Sequence, residues 1–223
     1  MRTLSRRDFL KVSSALASGV AVSTAIQGCA TGSSTRSLSA ASFQHGVASG
    51  DPGPDRLLIW TRATPDTGQE ALTLNWQLSL DSEFQQLIRS GQVSCTAVTD
   101  FTVKVDVQEL APGQRYYYRF ISRDQSSPTG RGRTLPASLI DQVKLAIFSC
   151  SNYPAGYFNV YQQAANRDDI DYALHLGDFI YEYQAGGYAS KNAERIGRTL
   201  AEDNQGELLA LNDYRKRYAL YRT

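Results

Sequence analysis

Two successive patterns of hydrophobicity predict a two-domain chain: an all-β sandwich, then a βαβ unit that begins an α/β domain. Three observations carry this reading. Short strand-like segments separated by Gly, Pro and Asp turns run to about Pro136, a Leu-Ala-Pro-Gly-Gln-Arg-Tyr corner spans Leu110 to Tyr116, and two continuous apolar runs, Val143 to Phe148 and Ile170 to Leu176, flank a helical stretch.

In the first part, Arg56 to Arg62 and Leu72 to Leu78 read as strands, and Phe101 to Val107 alternates apolar and polar residues with period two. The corner leads into a strand at Tyr116 to Ile121 and resembles the tyrosine corner of fibronectin and immunoglobulin-like sandwiches, in which a Tyr hydroxyl bonds backbone a few residues upstream. Tyr116, Tyr118 and Phe120 share one face and are expected in the core, with Cys95. From Val143 the apolar runs are expected to be strands buried on both faces of a parallel sheet, with a helix around Phe158 to Asn166 between them.

The 223 residues are 42% hydrophobic and 20% charged, enough apolar material for a core and too little charge for a disordered chain. A formal net charge of +1, from 23 Lys+Arg against 22 Asp+Glu, predicts no basic face for nucleic acid. Ser5-Arg6-Arg7-Asp8-Phe9-Leu10-Lys11 followed by the weakly apolar Val12 to Ile26 reads as a twin-arginine export signal over residues 1–29. The apolar run is shorter than the roughly 20 residues a membrane-spanning helix needs. The twin-arginine machinery exports folded proteins, which favours a metalloprotein loaded before export. Ile26-Gln27-Gly28-Cys29 has the form of a lipoprotein cleavage box, with Cys29 the residue that would carry lipid, although Gln27 is unusual there. The remaining boundaries are a linker at 30–42, the sandwich at 43–137 and the α/β part at 143–223. Three cysteines, Cys29, Cys95 and Cys150, leave at most one pair once Cys29 is processed, so no disulfide framework is expected.

In open α/β sheets, ligands sit beyond the carboxyl ends of the strands, here Ser149 to Asn152 and Gly177 to Tyr181. Gly177 lets backbone approach closely and Asp178 offers a carboxylate to a hard cation. Tyr181 has an ordinary phenol pKa near 10, so it becomes a ligand only beside a strong Lewis acid such as ferric iron. The Gly-Asp-x-x-Tyr spacing is similar to that of the purple acid phosphatases, though a Gly-Asp turn with a packed Tyr produces it too. Cys150 by itself reads as a small buried hydrophobe or a disulfide partner of Cys95. His175 reads as a core histidine, and a Gly/Asp/Pro-rich turn accounts for His45 and Asp51.

Taken in order, His45-Gly46-Val47-Ala48-Ser49-Gly50-Asp51-Pro52, Leu58-Ile59-Trp60-Thr61-Arg62, Phe148-Ser149-Cys150-Ser151-Asn152 and Gly177-Asp178-Phe179-Ile180-Tyr181-Glu182-Tyr183 resemble the PhoD-type alkaline phosphatases along nearly the whole chain. The resemblance implies an exported, metal-dependent phosphoesterase with a small β domain and an αββα metallophosphatase domain. It implies iron and calcium as cofactors, Cys150 and Tyr181 as ligands of ferric iron, Asp178 as a metal-bridging carboxylate and a small phosphate ester as substrate. Asn152 is a candidate substrate contact. Periplasmic or cell-surface localisation follows from the signal.

The family's later Trp-Asp-Asp-His-Glu-like loop and distal histidine loop have no counterpart in the sequence, which closes within a helical stretch, Leu211 to Thr223. The expectation is an incomplete, inactive fragment of the enzyme. A competing reading is a secreted β-sandwich binding module with a catalytically silent α/β remnant.

Overall fold

Alternating side chains build the first part of the chain, as in β3 (Leu57–Arg62), where Leu57, Ile59 and Thr61 are buried and Leu58, Trp60 and Arg62 are half exposed. The computed structural model describes residues 37–66 and 68–223, which fall within one compact unit. The export signal, Cys29 and most of the linker lie outside the described residues.

Among the described residues, β1 (Ala41–Ser42) pairs with β4 (Thr64–Pro65). A three-stranded antiparallel sheet runs β2 (Val47–Gly50), β3, β7 (Thr102–Val107). A four-stranded antiparallel sheet runs β6 (Leu87–Thr96), β5 (Ala71–Ser79), β8 (Arg115–Ile121), β9 (Gly130–Arg133). One core draws on both sheets: Leu57, Ile59, Val103 and Val107 from the first meet Leu72, Leu74, Leu78, Tyr116, Tyr118 and Phe120 from the second. The expected aromatic cluster is therefore core. At the corner the Ala111 amide donates to the Tyr116 hydroxyl at 2.8 Å, which is the upstream bond the sequence predicts.

Strand β9 has no apolar period and is held by its glycines. A Cβ on Gly130 would overlap the Tyr118 ring, and one on Gly132 would run into Leu57 and Ser49. Only a bare backbone can lie this close to the core.

The second part forms the expected βαβ unit: β10 (Leu145–Phe148), α1 (Asn159–Ala165) and β11 (Tyr172–His175), with the strands parallel and paired Leu145↔Tyr172 to Phe148↔His175. A long irregular stretch then leads to α2 (Leu211–Tyr221). The expectation that both strands are buried on both faces is corrected. Phe148 and His175 lie on the face that meets Tyr161 of α1, whereas Leu145, Ile147, Leu174 and Leu176 on the opposite face are exposed, Ile147 by 58% and Leu176 by 68%. The physical reason is that no described element packs on that side of the two-stranded sheet. No described helix is long and apolar enough to cross a membrane.

A disulfide between Cys95 and Cys150 is absent. Cys95 is buried in the sandwich, where desolvation pushes its thiol up to about 11, and Cys150 is exposed.

Candidate metal-binding loops

The parallel register places the two carboxyl-terminal loops side by side. The Leu176 amide donates to the Phe148 carbonyl (2.8 Å), the Cys150 amide to the Gly177 carbonyl (3.1 Å) and the Ser151 amide to the Asp178 carbonyl (2.8 Å). Pairing thus continues past the strand ends while the backbone leaves the β conformation. Cys150 (φ +61°) and Asp178 (φ +54°) both sit in the left-handed region, and Gly177 is at φ +132°. For residues with a Cβ this conformation costs on the order of 1 kcal/mol or more each, and such strain is concentrated at functional sites.

Three side chains converge as a result. The Cys150 thiol lies 3.5 Å from Asp178 Oδ2, and the Tyr181 hydroxyl donates to that same oxygen at 3.1 Å. The phenol is held above its ordinary pKa, chiefly by hydrogen bonding with Cys150, then by burial and by the hydrogen bond to and charge of Asp178. Without a cation, Tyr181 therefore stays protonated. Two protons are aimed at one carboxylate oxygen, the arrangement a cation would replace with a thiolate, a carboxylate and a phenolate around one point.

That donor set suits ferric iron, which favours anionic ligands and can ionise a phenol. Calcium takes six to eight oxygens, and this point brings together one carboxylate and one phenol. Among the described residues no group of three or more His, Cys, Asp or Glu is placed to hold a metal. The converging trio contains two residues of those types and a tyrosine.

The surroundings tie the loops down. The Ser151 hydroxyl and Tyr161 hydroxyl hydrogen-bond each other, and both reach His175 Nε2, at 3.2 Å and 3.0 Å. His175 is thus a satisfied, half-buried histidine beneath the loops. Asn152, the candidate substrate contact, donates its amide to the Tyr188 carbonyl at 3.1 Å, and the Tyr188 ring stacks on Tyr181 with centroids 5.8 Å apart. His45 and Asp51 belong elsewhere: His45 is buried beside Arg62, with its pKa lowered by burial and that charge, and Asp51 pairs with Arg56 at 2.9 Å.

Sequence reasoning missed two residues of α2. Arg217 and Tyr221 are buried and bonded to the backbone of the candidate loops. A signal was available, since Tyr214, Arg217, Tyr218 and Tyr221 recur at helical spacing and a charged residue within an aromatic stripe is an anomaly.

Comparison with known proteins bears directly on this site. The sequence model described as "PhoD-like phosphatase, N-terminal domain" matches residues 28–136, and that described as "PhoD-like phosphatase" matches residues 145–223. The chain belongs to the PhoD-like phosphatase family. Both candidate loops fall within the second match. Alkaline phosphatase D of Bacillus subtilis (strain 168) is 35% identical over 189 residues, covering 81% of this chain and 31% of the relative. A solved structure titled "Structure of PhoD" superposes with a TM-score of 0.73 at 37% identity, covering 81% of this chain and 35% of that one. Over most of this chain, the mostly β architecture described above thus matches that of a PhoD structure. The chain spans about a third of the length of these relatives.

Proposed function

We propose that this chain contributes the first ligand loops of an exported, metal-dependent phosphoesterase that hydrolyses small phosphate esters. The observation that carries the proposal is the convergence of Cys150 and Tyr181 on one oxygen of Asp178, at the carboxyl ends of two parallel strands, in a PhoD-like phosphatase chain. Asp178 is read as the bridging carboxylate, with Cys150 and Tyr181 as ferric ligands that give up their protons on binding. Bound there, iron would supply the positive charge that acidifies water and offsets charge developing on a transferring phosphoryl group. Asp178 and Tyr181 lie on one loop and Cys150 on the other, so the parallel pairing itself sets the distance between ligands. Asn152, anchored to the carbonyl of Tyr188, whose ring stacks on Tyr181, remains the candidate substrate contact.

Calcium stays an expectation of the family resemblance, and no step is routed through it. We read residues 43–137 as a fibronectin-type sandwich and 143–223 as part of an αββα domain, the tyrosine corner and the βαβ unit being the support for each. Periplasmic or surface localisation rests on Arg6 and Arg7, whose paired guanidinium groups lysine does not reproduce. Replacing both by Lys should hold the protein in the cytoplasm, and undiminished export on cell fractionation would refute the signal.

The site is tested in a protein of the relatives' full length that contains this chain. Asp178→Asn should lose iron and phosphate-ester hydrolysis together, by a factor of about 100 or more in rate. Hydrolysis at the unsubstituted rate with iron retained would exclude Asp178 as a ligand.

A further inference from the structure

Helix α2 carries an unusual pair of buried polar groups one turn apart. Arg217 is 1% exposed, and its acceptors are neutral: Nε donates to Asn204 Oδ1 (2.9 Å), Nη1 to the carbonyls of Tyr181 (2.8 Å) and Tyr183 (3.2 Å), and Nη2 to the carbonyls of Asn204 (2.9 Å) and Gly206 (3.3 Å). Burial lowers its pKa. Taking a guanidinium out of water without a carboxylate partner is costly, and an apolar side chain of similar volume would fill the space more cheaply. What an apolar residue could not do is gather carbonyls from two separate segments with a planar fork.

Tyr221, four residues on, does the converse. Its hydroxyl accepts from the Tyr153 amide (3.1 Å) and from the Tyr181 amide (3.4 Å). Tyr153 follows the Cys150 loop by two residues past Ser151, and Tyr181 ends the Asp178 loop. One phenol oxygen therefore bridges both loops, while Arg217 holds the carbonyl of the same Tyr181 whose amide Tyr221 holds.

We infer that Arg217 and Tyr221 act as a backbone clamp, fixing both peptide groups of Tyr181 and joining the Asp178 loop to the Cys150 loop so that the candidate ligands face one another. The inference rests on the metal reading of those loops for its functional meaning, and on the hydrogen bonds alone for its geometry. Arg217 and Tyr221 are positioning residues, since neither reaches Asp178 Oδ2. The clamp answers a specific need: Cys150 and Asp178 sit at strained backbone angles on the ends of a two-stranded sheet, where the ladder itself offers little restraint.

The test separates this local role from general stabilisation. Amide hydrogen exchange of the 223-residue protein is measured by NMR for the wild type and Tyr221→Phe, which keeps the ring and removes the bridging oxygen. Exchange at Tyr153 and Tyr181 should rise about tenfold, while Ile59 and Leu74 in the sandwich core stay within about twofold. Arg217→Lys, which keeps the charge without the fork, should loosen Tyr183 and Gly206 as well. Titration with ferric nitrilotriacetate of a protein of the relatives' full length that contains this chain supplies the second readout, and Tyr221→Phe should weaken iron uptake about tenfold with the ligands themselves intact. Unchanged exchange at Tyr153 and Tyr181 in Tyr221→Phe would overturn the clamp, and so would a uniform rise at every amide. If the wild type takes up no iron, the metal reading fails on its own, and the exchange pattern still decides the clamp. Should Arg217→Lys fail to fold, Tyr221→Phe alone gives the answer.

Discussion

At the scale of single residues, the chain spends polar groups to fix backbone. Tyr116 shows this in the sandwich, where its buried ring carries a hydroxyl that receives the Ala111 amide at the corner into β8. Tyr116→Phe should lower unfolding free energy by about 1–2 kcal/mol, the cost of a lost bond and an unsatisfied amide, read from the midpoint of urea unfolding. A variant melting like the wild type would remove the corner as a stabilising device. Tyr116 was legible because its position after Leu-Ala-Pro-Gly is a local pattern. Arg217 was not, because its acceptors at Tyr181, Tyr183, Asn204 and Gly206 are brought to it only by the folded loops. Asp178 and Tyr181 stood out by residue type and spacing and Cys150 by the family resemblance, but their convergence on Asp178 Oδ2 depends on positive φ angles that no periodicity reveals.

At the scale of elements, strands with a clear alternation were readable to within one or two residues, as β3, β5, β7 and β8 show. Strand β6 was legible only at its Cys95 end, because Leu87–Thr96 mixes exposed Ser90, Gln92 and Ser94 with a central Gly91, and β9 was missed because Gly-Arg-Gly-Arg has no apolar face at all. In β9 the pattern is steric. Gly130→Ala should force its methyl group against Tyr118 and destabilise the protein by about 1–3 kcal/mol, as overpacking does. An unchanged urea midpoint would mean that β9 can move off the core at no cost. The apolar runs of β10 and β11 identified strands correctly yet overstated their burial, since a continuous apolar sequence records what a face is suited to meet, and no described element meets Leu145, Ile147, Leu174 and Leu176.

At the scale of the whole molecule, α2 joins the parts. Arg222 donates to the carbonyls of His45 and Val47 at 3.2 Å each and lies over the Trp60 ring, Tyr218 meets Trp60 edge-on, and Arg217 and Tyr221 hold the candidate loops. The sandwich thereby becomes a platform for the loops rather than a separate appendage. The β part thus has a mechanical role, supporting the candidate loops at the ends of β10 and β11. Everything functional in this account depends on those ends binding a metal through Cys150, Asp178 and Tyr181. The most direct measurement is the visible absorption spectrum, during titration with ferric nitrilotriacetate, of a purified protein of the relatives' full length that contains this chain. Phenolate and thiolate ligands on ferric iron give a coloured charge-transfer band, so the wild type should develop one, Tyr181→Phe and Cys150→Ala should each weaken or shift it, and Asp178→Asn should abolish it. A wild-type protein that stays colourless, or a band indifferent to all three substitutions, would contradict the assignment.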